Sequence, residues 1–460
     1  MDLHQRSAVE LLALYARGDC SPVEVARDLI VHIERCEPVL HALWAFDAET
    51  LRAQARDSEA RWRSGQARAL DGVPVTVKEN IATRGTPVPL GCAATALEPA
   101  VADAPPAARL REAGALIVAK TTMPDLGMLS SGLSSFHALA RNPWNPALNP
   151  GGSSAGAGAA CAGGYGPLHL GTDIGGSIRL PAGWCGIVGV KPSLGRIPID
   201  PPYAGRVAGP MTRSVDDAAL AMRVLSRPDP RDAMSLPWQD LAWHELDLDL
   251  RGVKLGLWLD AGWGLPVDPQ ARAVVEGAAR AFEAAGAIVE PLAPFTTRAM
   301  VEGLDRFWRQ RAWLDIAAWP PERRVRALPY IVEWAEGGAQ LSGEQVFRGY
   351  SQMGAIRDAT VAATRRFDAV LSPVSPVRHF PAEWPGPTND PARPFEHIAF
   401  TLPFNFSEQP AVALNGGYDA DGFPIGVQLA TARHDDVGAL RWARAWERLR
   451  PTQRPWPVVG

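Results

Sequence analysis

Two Gly-Gly-Ser turns, Gly151-Gly152-Ser153 and Gly175-Gly176-Ser177, lie inside one stretch, GGSSAGAGAACAGGYGPLHLGTDIGGSIRLPAGWCGIVGVKP, running from 151 to 192. No other part of the chain limits its fold so tightly. Paired glycines let a backbone turn sharply and bring its N–H groups close to another segment or a ligand. A serine on each turn then sets two hydroxyls where such N–H groups converge, an arrangement suited to acyl transfer. Between the turns, residues 155–163 carry only small side chains and predict a helix packed closely on a sheet. Residues 168–170 read as a short strand leading into the second turn.

The rest of the chain supplies layers for that stretch. Residues 5–37 predict two helices: Ser21-Pro22-Val23-Glu24 has the form of a capping box with proline at the first helical position. Residues 49–65 predict a third. At 71–80 the pattern changes to alternating Val73, Val75 and Val77, which argues a strand with Lys78 at its end. Residues 110–120 read as a helix end, a glycine stop and a buried strand; 141–152 are Pro- and Asn-rich loop. Residues 210–225 predict a helix with Ser214 three positions before Asp217. Further on, strands are expected at 253–258, 367–373 and 426–429, and helices at 269–286 and 436–449. Strands alternating with helices imply an α/β or mixed α/β class. Residues 228–350 stand apart, holding eight of the sixteen tryptophans.

Composition removes several function classes. A net charge of -4 on 460 residues offers no basis for nucleic acid or an anionic membrane as partner. No apolar run reaches the ~18 residues of a spanning helix. The first residues read as an amphipathic helix and not as a signal peptide. Five scattered cysteines without a C-x-x-C pair suit reduced thiols, so a cytoplasmic location is expected. The nine histidines show no metal-binding spacing, so neither a metal nor another cofactor is expected.

Three chemistries compete for the glycine-serine stretch. A phosphate cradle would call for GxxxxGK[ST], or GxGxxG after a strand, and neither occurs. A G-x-S-x-G nucleophile elbow at 152–156 would need a buried strand just before it, where RNPWNPALNP stands. The third links Lys78, Ser153 and Ser177. A serine hydroxyl attacks poorly until a base takes its proton, and a lysine is such a base only when neutral, which burial favours. Taken alone, Lys78 reads more readily as a solvated strand-end lysine.

The combination of GGSSAGAGAA with GTDIGGSIRLPAGWCGIVGVKPS resembles the signature of the amidase signature hydrolases. The resemblance extends to VPVTVKENI, LREAGALIVAKTTMPDLG, RNPWNP, GPMTRSVDDAAL, FDAVLSP and FPIGVQL. It implies an amidase signature domain over 1–460: a single large mixed β-sheet flanked by helices on both faces. Within it, 70–225 would be the catalytic signature region, 228–350 a less typical Trp-rich cap or substrate region, and 365–447 the C-terminal strands and helix. It implies a Ser-cisSer-Lys triad, with Ser177 as nucleophile, Ser153 as bridging serine after a cis peptide, and Lys78 as base. Ile174, Gly175, Gly176 and Ser177 would supply the oxyanion hole, with Ser154, Asp173 and Arg179 as structural support. Ser130, Ser131 and Phe136 would line the acyl side of the pocket. The implied activity is amidohydrolysis of a non-peptide C–N bond in an amide, aryl amide or carbamate. An amidase subunit of a tRNA-dependent glutamine amidotransferase and a ureide or allophanate hydrolase are the alternatives. The partners would be a small-molecule amide or carbamate and water, with a homodimer left open.

Two departures from the family pattern stand out. The usual GGSSGG is replaced by a segment with Ala155 and Ala157 around Gly156, and the usual Thr-Gly-x-Pro by Ser407-Glu408-Gln409-Pro410. The second touches the expected substrate contacts. The tryptophans of 228–350 leave two readings open, an apolar or aromatic pocket beneath a mobile cap or ordinary core and surface packing.

Overall fold

Among the described residues, 2–459, the computed structural model joins eleven strands into one mixed sheet. They are β1 (Leu43–Trp44), β2 (Pro74–Lys78), β3 (Leu116–Thr121), β4 (Leu168–Asp173), β5 (Val188–Lys191), β6 (Val207–Thr212), β7 (Lys254–Leu257), β8 (Ile288–Pro291), β9 (Ala369–Pro373), β10 (Ala411–Tyr418) and β11 (Pro424–Ala430). Their spatial order is β1-β3-β2-β4-β6-β5-β10-β11-β9-β7-β8. β3, β2 and β4 run parallel, as do β9, β7 and β8, and the strands between them pair antiparallel.

Period-two alternation divides the sheet's side chains between two cores. Val75, Val77, Leu371, Val412 and Leu414 face a core shared with the helices Val215–Leu225, Pro269–Ala284 and Asp436–Leu449. Val370, Ala411 and Ala413 face the other, with the helices Arg179–Cys185 and Arg298–Ala317. Helices on both faces of one sheet match the expected class. Residues 210–212 depart from expectation: they complete β6, and the helix starts at Val215 after its Ser214 cap. Pairing with β4 and β5 claims those residues before the cap can recruit them.

The helix Ala155–Gly163 is wholly buried, and its small residues explain why it fits. A β-carbon on Gly156 would lie 2.2 Å from the Ala42 carbonyl oxygen and 2.5 Å from the Thr122 nitrogen. The helix thus rests directly on backbone, and this close seat aims the Ser153-Ser154 turn at the ends of β2 and β4. All five cysteines are free. No helix of the described residues is long and apolar enough to cross a membrane.

Candidate active site

Lys78 ends β2 on the face opposite Val75 and Val77, beside the parallel β4. Its side chain is fully buried. Its ammonium nitrogen meets only hydroxyls: Ser153 Oγ at 2.8 Å, Ser154 Oγ at 3.0 Å and Thr172 Oγ1 at 3.0 Å. Burial pushes the Lys78 amine down to about 7, against the pull of Asp173 and Glu79 and with help from Arg206. Burial therefore favours the free base. Ser154 also donates to the Thr172 carbonyl at 3.2 Å, locking the first turn to β4. The Gly152–Ser153 peptide is cis. Beyond Lys78, the buried Glu79 carboxylate receives the Gly91 N–H at 2.6 Å and pairs with His137.

The second turn is held by an ion pair. Asp173, at the end of β4, accepts the Gly176 N–H at 2.8 Å and the Ile178 N–H at 3.1 Å. The Arg179 guanidinium approaches both of its oxygens, Nε at 3.0 Å and an Nη at 2.9 Å. Burial works to raise the Asp173 carboxyl, but Arg179 and the hydrogen bonds hold it well below the usual carboxylate range. Arg179 reaches further, to the Thr401 carbonyl at 2.8 Å and Gln428 Oε1 at 2.7 Å, while Asn405 donates to Asp173 at 2.9 Å. The Thr401 hydroxyl donates to the Gly175 carbonyl at 2.6 Å. Gly176 has φ +132°, and a β-carbon there would sit 2.6 Å from Thr401 Oγ1, so only glycine serves.

One of the four expected oxyanion amides is committed elsewhere, since the Gly176 N–H points at Asp173. The N–H groups of Ile174, Gly175 and Ser177 donate to no described residue outside the sheet ladder. Ser177 is half-buried, and its carbonyl accepts the Ser154 N–H at 3.2 Å, tying the two turns together.

Ser177 opens into a cleft lined by Met128, Leu129, Ser130, Ile174, Trp308, Arg311, Phe395 and Ile398. The cleft offers only about 60 Å³, but Phe395 also borders an adjoining hollow of about 330 Å³. Of the expected lining residues, Ser130 is present. Ser131 is not: its hydroxyl donates to the Trp384 carbonyl at 2.7 Å and accepts from Asn149 at 2.7 Å. Nor is Phe136, whose ring packs edge-on against Trp44 and His137. Ser131 is turned away by its bonds to Trp384 and Asn149, and Phe136 by its packing on Trp44 and His137.

Of the eight tryptophans in 228–350, Trp308 reaches the cleft and Trp263 the adjoining hollow, while Trp258 and Trp334 are core. Ser407 to Pro410 stay outside the cleft, with Glu408 paired to Arg357 and Arg433. Sequence reasoning missed Thr172, Asn405, Gln428, Thr401 and Arg311. Thr172 alone carried a usable signal, through its place in the GTDIGGS block.

A family model described as Amidase matches residues 24–440. An acylamidase of Rhodococcus erythropolis is 31% identical over 464 residues, covering 98% of this chain and 96% of the relative. A glutamyl-tRNA(Gln) amidotransferase subunit from Roseiflexus castenholzii is 32% identical over 499 residues, covering 99% and 98%. Among solved structures, a bacterial aryl acylamidase of the amidase signature enzymes is similar at a TM-score of 0.90. Its identity is 29%, and the match covers 98% of each chain.

Proposed function

This chain belongs to the amidase family, the amidase signature enzymes, and from that premise we propose how its residues perform the chemistry. It is a hydrolase acting on C–N bonds other than peptide bonds. Ser177 Oγ attacks the amide carbonyl, and its proton passes through the Ser153 hydroxyl to the neutral Lys78 amine. The same relay returns that proton to the departing amine as the C–N bond breaks. Water then attacks the Ser177 ester, giving its proton to the relay, and the acid leaves as Ser177 recovers its hydrogen.

The single observation that carries this reading is the Lys78 amine: buried, free of any carboxylate partner among the described residues, and 2.8 Å from Ser153 Oγ. A lysine so placed is a base near neutral pH and not a fixed charge. The Ser177 hydroxyl closes onto Ser153 when substrate fills the cleft, since catalytic hydrogen bonds tighten in the complex. Developing negative charge on the carbonyl oxygen is met by the free amides of the second turn, which Asp173 and Thr401 hold in place.

The apolar lining by Met128, Leu129, Trp308, Phe395 and Ile398 supports an aryl amide as substrate, as the name of the aryl acylamidase suggests. Relatives that belong to amidotransferases favour glutamine as a second reading. The cleft lining contains no Asp or Glu to receive the α-ammonium group of glutamine, which supports the first.

The test compares hydrolysis of p-nitroacetanilide, a short aliphatic amide, an aryl carbamate and glutamine, with fluorophosphonate labelling of Ser177. The anilide is expected to react fastest. Ser177→Ala is expected to remove both turnover and labelling, and full turnover in that variant would overturn the mechanism. Glutamine as the preferred substrate would replace the aryl amide reading with the second.

A further inference from the structure

Arg311 is the one formally charged residue lining the Ser177 cleft. It lies on the helix Arg298–Ala317, three residues after Trp308, and that spacing brings both side chains to the cleft. Around the adjoining hollow every charge but that of the exposed Glu302 is paired among the described residues. Asp305 pairs with Arg309 at 2.8 Å, and Glu396 pairs with Arg298 at 3.2 Å and with Arg393. Arg311 makes no ion pair with any described residue. Its support is instead the Tyr203 ring, whose centroid lies 4.1 Å from the guanidinium carbon. Stacking of this kind orients the guanidinium plane without neutralising it.

The surroundings deepen the positive charge. Arg206 is half-buried near Arg311, and burial first, then Arg311, push its guanidinium below the usual range. Asp200 and Asp232 act on Arg206 from beyond ion-pair distance.

We propose that Arg311 selects amides that carry a carboxylate, pairing with that anion while the amide carbonyl lies at Ser177. The proposal rests on the amidase reading and names the substrate class within it. A guanidinium presents parallel N–H donors that match the two oxygens of a carboxylate, and the apolar cleft strengthens the pair by keeping water away. A neutral substrate filling the same cleft strips water from Arg311 and returns nothing, so it is disfavoured. Discrimination therefore comes from both sides.

The experiment measures kcat/KM for two matched pairs in the parent, Arg311→Met and Arg311→Lys. Glutaranilic acid against valeranilide places the carboxylate on the acyl side, and 4-acetamidobenzoate against acetanilide places it on the amine side. In the parent, one anionic member is expected to exceed its neutral partner by about ten- to a hundredfold, mainly through KM. Arg311→Met is expected to erase that ratio and Arg311→Lys to keep part of it. Because each ratio is taken within one variant, a loss of folded protein cancels. Equal rates within both pairs in the parent, or a preference that survives Arg311→Met, would overturn the proposal and leave the amidase reading intact. Hydrolysis of none of the four, with no fluorophosphonate labelling, would sink the amidase reading and the proposal with it.

Discussion

Lys78 and Arg179 are both fully buried basic side chains, Lys78 at the end of β2 by the first glycine-serine turn and Arg179 at the start of the helix after the second. Their fates differ because their partners do. Arg179 faces the Asp173 carboxylate across two short contacts, and that pairing holds the Asp173 carboxyl well below the usual range. Lys78 faces three hydroxyls and no carboxylate, so burial drives it toward the neutral form. Burial with a counter-ion makes a rigid brace, and burial without one makes a base. The two turns share a sequence motif, yet the first sets its hydroxyls against a buried amine and the second is braced by an ion pair.

The largest effect expected from breaking this contrast is on rate. Lys78→Met should lower turnover of a good anilide by at least ~10³-fold, as removal of a coupled catalytic base does. The same variant should be no less stable than the parent at pH 7, read by Tm, because it removes a buried amine that unfolding allows to ionise. The sign follows from the depressed value in the fold. Between about 7 and the ordinary lysine range the unfolded chain binds more protons, so the parent gains stability as pH rises there. The Tm advantage of Lys78→Met should therefore shrink from pH 7 toward pH 10, and an advantage that grows would break the argument.

Asp173→Ala asks the opposite question. It strands Arg179 without its carboxylate and should cost about 3–5 kcal/mol, read by urea unfolding. Activity should fall in step with the loss of folded protein and of the ordered turn. Gln428→Ala removes one acceptor from Arg179 and should cost about 1–3 kcal/mol in the same measurement.

Two smaller effects concern pH. In the parent, kcat/KM should fall about tenfold per unit below an apparent pKa near 7, as Lys78 takes up its proton. Thr172→Val removes an acceptor that the protonated amine uses more strongly than the neutral one. The acid limb should accordingly move to lower pH, with a loss of only a few-fold at the plateau. A limb that moves upward would show that Thr172 does not serve the ammonium form.

Much of the architecture was legible because it follows from local periodicity. The alternation of Val73, Val75 and Val77 marked β2, and the small residues of Ala155–Gly163 marked a helix pressed onto a sheet. Residues 210–212 were misread, because the Ser214 cap is a local signal while their strand pairing depends on β4 and β5. The bracing network around Asp173 shows the same limit. Asn405 and Gln428 stand more than two hundred residues along the chain, and nothing local singles out either as a partner of Arg179 or Asp173. Ser131 and Phe136 turn away from the cleft, and proximity to a motif in sequence does not say which way a loop side chain turns.

What the sequence determined by itself is the set of residue types and the backbone freedom the chemistry requires. Those are two glycine turns, a serine on each, and a lysine closing an alternating strand. Such features are local, set by φ/ψ preference and by period. Only the tertiary structure decided that the lysine is buried among hydroxyls, that Gly176 spends its N–H on Asp173, and that Arg311 reaches the cleft with no ion pair among the described residues. The charge state of a buried group depends on every neighbour that displaces water from it, and those neighbours are brought together by the sheet, not by the chain order.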